Sequence, residues 1–217
     1  MPKVNEDHAT RERLLKEAEV LFSQRGYRDA GVREITAAAR CNQAAINYHF
    51  GSKRNLYIEV FRSRWIPRAK RIHEFMIEAL APGESHTPEE IIRALAKAFL
   101  EGPMPEVERL HHHQLMAREL AQPTEAFDLV ADQVTRPFFR EMADRFRWSM
   151  DEEVDDERLM LGIMSIFVMV VHFNFARTMI TRITGREYDE AFKARLVEHI
   201  TEFALKGMGI GEKKGER

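Results

Sequence analysis

The chain has 217 residues, 44% of them hydrophobic, which is enough to bury one large core or two small ones. Its single cysteine, Cys41, excludes an internal disulfide, and no charged segment followed by an apolar core opens the sequence, so we expect a cytoplasmic protein. The net charge of −2 hides an asymmetry typical of a DNA-binding head on an acidic body, because residues 1–72 hold 15 basic and 8 acidic residues whereas the remainder holds 18 and 27.

The first predicted helix follows a polar N-terminal segment. We expect residues 1–9 to be disordered and able to reach DNA as an arm. Thr10 is a suitable N-cap, and Gly26 ends the helical pattern. The apolar residues that recur at helical spacing between them are Leu14, Leu15, Ala18, Leu21 and Phe22. This helix is expected to support the two that follow from behind.

Two short helices joined by a tight turn are predicted over Val32–Phe50, with the sequence VREITAAARCNQAAINYHF. Small apolar residues let the two helices cross closely; they are Ile35, Ala38, Ala39, Cys41, Ala45 and Ile46. The outward side holds polar and aromatic residues instead, namely Arg33, Gln43, Asn47, Tyr48 and His49. A short second helix with a polar outer face suits a groove of DNA.

The end of this segment carries a family resemblance. The run Asn47-Tyr48-His49-Phe50-Gly51-Ser52-Lys53 resembles the end of the recognition helix in TetR-family transcriptional repressors. Leu21-Phe22 with Gly26-Tyr27 resembles the family's first helix and the bend after it. The resemblance is specific over residues 10–61. It implies an all-α protein with a helix-turn-helix DNA-binding domain at 1–52, a connecting helix at 53–81 and a ligand-binding and dimerisation domain at 82–217.

The same resemblance implies a homodimer that binds a double-stranded DNA operator. Gln43 and Asn47 would point at base edges and Arg33 at a base or a phosphate. Tyr48, His49 and Lys53 would hold the DNA backbone. The implied DNA-binding set is Arg33, Asn42, Gln43, Ala44, Asn47, Tyr48, His49 and Lys53.

Two residues depart from the family pattern. Gly31 stands where the family usually has Ser or Thr as the cap of the second helix, although Glu34 can still accept from the first free amides. Arg40 stands where the family usually has Gly. A left-handed backbone at Arg40 would carry a strain of roughly 1 kcal/mol, so the sequence predicts either a strained turn or a reshaped one.

The connecting helix begins with Ser52 as its cap and Lys53 in its first turn. Its apolar stripe is Leu56, Tyr57, Val60, Phe61 and Ile66. Pro67 interrupts the helix after Trp65, and a proline inside a helix deletes a backbone hydrogen bond and usually bends the rod. The helical pattern then resumes and ends in a predicted surface loop at 81–86.

The body is predicted to be all-helical, because nothing in residues 73–217 alternates with period two. Thr87-Pro88-Glu89-Glu90 is a strong start for a helix that runs to Glu101. A break at 102–105 precedes a helix that ends at Gln122. Pro123-Thr124 opens another helix, which Pro137 is expected to kink.

Residues 159–176, LMLGIMSIFVMVVHFNFA, carry no charge and form the most apolar run of the chain. Their number fits a membrane span, but small and polar residues within the run and acidic residues before it disfavour insertion. We expect a helix buried by its own domain on one side and by a partner on the other, paired with a final helix at Tyr188–Lys206. The predicted dimer interface is Ile163, Ile166, Val170, Phe173, Leu196, Ile200 and Phe203.

Metal and enzyme sites find little support in the sequence. Adjacent helical residues point about 100° apart, so His111, His112 and His113 cannot chelate one ion, and we expect neither a metal nor a cofactor. There is no nucleotide-binding glycine loop, serine elbow or Cys/His pair at a known spacing. A redox-sensing role for Cys41 is the weaker alternative to a small core residue, since burial makes a thiol inert.

The body's Met and Phe content suggests an effector site. Eleven Met and fourteen Phe can simply form a core, yet both also line pockets for bulky apolar ligands. The candidate wall residues are His112, Arg118, Phe127, Phe138 and Phe173. The sequence therefore favours a ligand-responsive repressor released by a small apolar or amphipathic inducer. The rival interpretations are a helical interaction protein with a vestigial DNA-binding domain and a helical enzyme that uses its pocket.

Overall fold

The computed structural model describes residues 2–80, 86–102, 104–150 and 154–210, with side chains from residue 6 onward. Over these ranges the chain is helical and contains no strand, which confirms the predicted all-α class. The helices are α1 (Pro2–Asp29), α2 (Val32–Ala38), α3 (Ala44–Phe50), α4 (Lys53–Val60), α5 (Ile66–Glu78), α6 (Pro88–Leu100), α7 (Glu106–Ala121), α8 (Glu125–Val130), α9 (Arg136–Ser149), α10 (Asp156–Phe175), α11 (Arg177–Thr184) and α12 (Glu190–Met208).

Helix α1 begins earlier than the sequence suggested. The prediction of a disordered arm with Thr10 as the cap is wrong, because α1 starts at Pro2 and the Thr10 hydroxyl donates to the Glu6 carbonyl at 2.9 Å inside it. Extending an existing helix needs no new nucleation, so even a polar segment can continue it. The break at Gly26 is confirmed, since its φ of 84° and ψ of 172° interrupt the helix there.

Both interior prolines follow a π-helical turn. Phe61–Trp65 separates α4 from α5 just before Pro67, and Ala131–Thr135 separates α8 from α9 just before Pro137. In the first of these turns the Ile66 amide donates to the Phe61 carbonyl, five residues back. Proline has no amide hydrogen, so a local widening of the helix lets the chain continue past it. The interruptions predicted at Pro67 and Pro137 are therefore π-helical turns that precede each proline.

The start of α6 follows the predicted capping box. The Thr87 hydroxyl accepts from the Glu90 amide at 3.3 Å, and the Glu90 carboxylate accepts from the Thr87 amide at 2.8 Å. These hydrogen bonds hold the pKa of Glu90 below its ordinary value. Pro88 occupies the first turn, where no amide donor is needed. Of the loop predicted at residues 81–86, residues 81–85 lie outside the described residues.

The first of two compact units comprises residues 1–69 and 104–134. It contains α1 to α4, the first π-helical turn, α7 and α8. Its buried core is built from all of these parts and includes Leu14, Leu15, Phe22, Ile35, Ile46, Leu56, Phe61, Leu115 and Val130. Two helices that follow α6 in the chain thus complete the core around the N-terminal helices.

The second compact unit comprises residues 70–103 and 135–217, of which the described parts are helices α5, α6 and α9 to α12. Helix α6 is its centre and packs against α12, α10 and α9. Its core includes Ile91, Ile92, Leu95, Phe146, Ile163, Val170 and Ile200. These units describe packing, and the functional division at residues 52 and 81 stays a prediction.

Candidate nucleic-acid interface

The predicted helix-turn-helix forms from α2, α3 and the turn between them. Gly31 is the N-cap of α2, and its amide donates to the Glu34 carboxylate at 3.1 Å, as the sequence indicated. At the far end of α2, Arg40 adopts a φ of 52°, and the Cys41 amide donates to the Thr36 carbonyl at 3.0 Å. The backbone of the turn is therefore left-handed at this position, although the residue there is an arginine and not a glycine.

Most of the implied DNA-binding residues lie on the exposed side of this motif. The exposed members are Arg33, Asn42, Gln43, Ala44, Asn47 and Tyr48. Tyr48 is 75% exposed, which is unusual for a tyrosine in a folded domain. Asn42 has a local role as well, because its side-chain oxygen accepts from the Ala45 amide at 3.0 Å and caps the start of α3.

His49 is placed differently from the sequence-based expectation. Its side chain is only 7% exposed, and its Nε2 lies 3.7 Å from a carboxylate oxygen of Asp7 on α1. A covered imidazole is poorly placed to hold the DNA backbone, so this part of the implied set needs correction. The reason is the early start of α1, whose added turns lie beside His49.

Lys53 is half-buried rather than fully outward. Its ammonium donates to the Arg28 carbonyl at 3.3 Å and lies 4.8 Å from the centre of the Tyr27 ring. Burial lowers the pKa of Lys53, while the nearby Asp29 carboxylate opposes that shift. The lysine lies at the first turn of α4, beside the end of α3.

Arg13 was missed by the sequence reasoning. From α1, its guanidinium donates to the Ala39 carbonyl at 3.2 Å and to the Thr10 hydroxyl at 3.0 Å. It thereby ties the turn of the motif to the first helix. Arg13 also bears on Cys41, whose pKa is raised by burial and partly lowered by the arginine's charge. Helical spacing places Arg13 on a polar face and gives no sign of this contact.

The five candidate effector residues are divided between the two compact units. His112, Arg118 and Phe127 belong to the first compact unit, whereas Phe138 and Phe173 belong to the second. The buried His112 ring stacks on Trp65 with centroids 4.3 Å apart, and burial holds its pKa well below the ordinary value. Arg118 bonds to main-chain carbonyls of α1. Both residues therefore serve the packing of the first unit.

The histidine run occupies the middle of α7. The His113 Nδ1 lies 2.9 Å from the Arg109 carbonyl, so this ring bonds within its own helix. In the described part of the chain, no three His, Cys, Asp or Glu side chains are grouped in a way that could hold a metal ion.

The predicted dimer residues divide into two groups. Five of them lie in the core of a single chain and do not face outward: Ile163, Ile166, Val170, Leu196 and Ile200. Phe173 is half-buried beside the His199 ring, and Phe203 is 60% exposed. The exposed large apolar side chains of this region are instead Leu161, Met164, Val168 and Phe175 on α10, with Met179 and Ile183 on α11.

Helix α10 is thus apolar on both its buried and its exposed sides. By length and composition alone it is the one described helix that could cross a membrane. Asp156 and Glu157 open it, and Asp155 caps it by accepting from the Arg158 amide at 2.9 Å. The buried side of this helix packs in the core of the second unit, and its exposed side carries the large apolar residues.

Known families match both parts of the chain. The family of bacterial regulatory proteins named after TetR matches residues 14–60, which include α2 and α3. The C-terminal domain family of the HTH-type transcriptional dual regulator CecR matches residues 88–208, more than half of the chain. Neither is an enzyme family.

Two relatives match different shares of the chain. The HTH-type transcriptional dual regulator CecR of Shigella flexneri is 25% identical over 196 residues, which cover 86% of this chain and 85% of that protein. The HTH-type transcriptional repressor NicS of Pseudomonas putida is 39% identical over 51 residues, 24% of either chain.

Solved structures with low sequence identity share the fold. A TetR-like transcriptional regulator from Rhodococcus sp. RHA1 has a TM-score of 0.66 at 17% identity, over 92% of this chain and 96% of that one. The fatty acid degradation regulator FadR from Bacillus halodurans has a TM-score of 0.59 at 16% identity, over 90% and 98%. The chain belongs to the TetR family of DNA-binding transcriptional regulators, with a C-terminal domain of the CecR family.

Proposed function

We propose that this regulator is a cytoplasmic, ligand-responsive repressor that binds a palindromic operator as a homodimer. The observation that carries the proposal is the pairing of an exposed polar face on α3 with a closely packed apolar face behind it. A face of this kind can enter a major groove while the rest of the first unit holds its orientation.

Within this face, Gln43 and Asn47 are assigned to base edges. A carboxamide matches the N6 donor and N7 acceptor of adenine together, so either residue can discriminate a base pair. Tyr48 and Lys53 are assigned to the phosphate backbone, which fixes the register of the motif without specifying sequence. His49 is withdrawn from this set because its side chain is covered.

The dimer is assigned to the exposed apolar residues of α10 and α11. Leu161, Met164 and Val168 recur every three or four residues along α10, and Met179 and Ile183 do so on α11. Apolar side chains at helical spacing on an exposed face mark a protein interface. A second copy of the chain is the partner, because a two-fold axis would also set two DNA-binding motifs on one palindrome.

The effector is assigned to aromatic rings of the second unit. Phe138 lies 5.6 Å from Phe167 and 5.8 Å from His73, measured between ring centroids, and Phe167 lies 5.5 Å from Phe99. All four rings are only partly buried. The His73 Nε2 lies 2.9 Å from a carboxylate oxygen of Glu141, which adds one polar pair to the apolar group. Such a group suits a small apolar or amphipathic ligand.

Two substitutions test the DNA-binding assignment on the fragment upstream of the protein's own gene. Gln43→Ala should cost about 1–3 kcal/mol at one base pair and relax specificity there. Lys53→Ala should weaken binding to all sequences alike. It should also reduce the salt slope, which is the slope of the log binding constant against the log salt concentration, by about one per half-site. Lys206→Ala is the matched control, since this exposed lysine belongs to α12 in the other unit.

The measurement is a titration of operator and scrambled DNA at several salt concentrations. Gln43→Ala and Lys53→Ala variants with the same sequence profile and the same salt slope would contradict the assigned roles. A vestigial motif on an interaction protein would show no preference for any sequence. An amphipathic effector added to the wild-type titration should release the operator.

A further inference from the structure

The corner where α7 meets α8 is bonded to the N-terminal helices. Family matching assigns this corner to the C-terminal domain, whereas packing assigns it to the first unit. We propose that Arg118 and Glu119, two neighbouring residues of α7, are positioning residues of the helix-turn-helix. They hold α1 and α4 in the arrangement that reads DNA, without touching DNA themselves. This assignment rests on the proposed operator binding.

Arg118 acts on the end of the regular part of α1. Its Nε donates to the Ser23 carbonyl at 2.9 Å, and its Nη2 donates to the Gln24 carbonyl. The regular helix is interrupted at Gly26, just after these two carbonyls. A cation at a helix C-terminus also interacts favourably with the helix dipole. Arg118 therefore caps α1 from another helix.

Gly26 makes this approach possible. A Cβ at that position would lie 3.3 Å from Nη1 of Arg118, which is closer than most such contacts, and 3.5 Å from its Cδ, which is an ordinary contact distance. The glycine's φ of 84° also sets the change of direction that leads into α2. The guanidinium thus lies against the bend that orients the helix-turn-helix.

Glu119 acts on α4. Its side chain is buried, and its carboxylate accepts from the Tyr57 hydroxyl at 2.5 Å. The same carboxylate accepts from the Thr124 amide at 2.9 Å and from the Thr124 hydroxyl, which fixes the start of α8. Burial and the neighbouring carboxylate raise the pKa of Tyr57 well above its ordinary value, so the phenol remains a donor.

Tyr57 links this carboxylate to the rest of the N-terminal helices. Its ring meets Phe22 of α1 edge-on at 4.8 Å and lies 5.0 Å from Tyr27, measured between centroids. Tyr27 in turn lies under the Lys53 ammonium at the first turn of α4. A shift of Tyr57 would therefore move α4 and the lysine assigned to the DNA backbone.

The exposed pair nearby has a smaller role. Arg54 of α4 and Glu125 of α8 form an ion pair, but both side chains are more than half exposed. Exposed pairs contribute little because water and salt screen them. A buried carboxylate that loses its donor is left uncompensated, which has a much larger effect. The assignment is therefore limited to Arg118 and Glu119.

The test uses the full-length Arg118→Ala variant. Arg93→Ala is the matched control, because Arg93 also makes two side-chain contacts, with Glu89 and Glu198, but belongs to the second unit. Hydrogen exchange on the DNA-free protein should show faster exchange across the end of α1 and across α2 in Arg118→Ala only. Operator affinity should fall at least tenfold at a temperature where the variant is folded, with the salt slope and the affinity for scrambled DNA unchanged.

Tyr57→Phe provides a second, milder variant that keeps the ring and removes only the hydroxyl bonded to Glu119. It should show the same loss of operator preference. Unchanged hydrogen exchange at the end of α1 and in α2 of the Arg118→Ala variant would overturn the proposal. Full operator affinity in a folded Arg118→Ala variant whose hydrogen exchange is faster would also overturn it. A wild-type protein without sequence preference would count against the proposed function, while the exchange result would still decide whether Arg118 holds the motif.

Discussion

At the scale of single residues, Arg40 is the clearest strain in the DNA-binding motif. It is the one non-glycine residue with a positive φ among those that the structure describes. A side chain in the left-handed region carries a cost of roughly 1–2 kcal/mol. The turn nevertheless keeps this geometry, because the Arg40 and Cys41 amides both donate to carbonyls of α2.

Replacing Arg40 with glycine should relieve this strain. Arg40→Gly should raise the free energy of unfolding by about 1 kcal/mol, less a smaller loss from the greater freedom of glycine in the unfolded chain. Urea denaturation followed by circular dichroism measures the change. Arg40→Ala is the control, since it removes the same charge and keeps the strain. A gain of the same size in both variants would show that charge rather than backbone geometry is responsible.

Local chemistry was predictable from the sequence wherever the signal and its partner lie within a few residues. Gly31 with Glu34, Ser52 as a cap and the Thr87–Glu90 box all adopt the predicted geometry. The burial of His49 was not predictable, because it depends on Asp7, 42 positions away on turns of α1 that appeared too polar to fold. The contact of Arg13 with the Ala39 carbonyl was not predictable either, because the two residues are 26 positions apart in the chain.

At the scale of elements, α10 shows what helical periodicity leaves open. In a helix that is apolar on all sides, the distribution of apolar residues does not indicate which side faces the core. The structure makes that choice: Ile166 is 2% exposed and Val168 is 62% exposed, although they are only two positions apart. The sequence therefore predicted the helix and its burial on one side, but assigned residues of the single-chain core to the interface. Burial of the other side by a partner stays a prediction.

These two residues provide a matched test of the proposed dimer. Val168→Glu should leave the chain folded and dissociate the dimer, because the carboxylate faces water in the monomer and would be buried unpaired in the complex. Ile166→Glu should instead unfold the second unit at a cost of several kcal/mol. Light scattering and circular dichroism on both variants measure the outcome. A folded Val168→Glu protein that remains dimeric would place the interface elsewhere.

Helices α7 and α8 show a second limit at this scale. Sequence reasoning divides a chain into consecutive segments, so it placed both helices with the C-terminal domain. In the structure they pack against α1 and α4, through Leu115 and Val130 among others. A pattern of apolar residues identifies the face of a helix that will be buried, but not the helix that will cover it.

At the scale of the whole molecule, two compact units are interleaved along one chain, and the first of them carries the DNA-binding motif. The excess of basic residues up to position 72 falls in the part that contains α1 to α4. Composition, motif and family match therefore agree on where DNA binds.

The central claim is that the chain reads a two-fold operator as a dimer. Selection of bound sequences from a random DNA pool by the wild-type protein tests it most directly, with the stoichiometry of the complex measured on the selected site. We predict an inverted repeat bound by two chains, with half-site centres about 34–36 Å apart or a multiple of that distance. A pool without enriched sequences, or a single half-site bound by one chain, would contradict it.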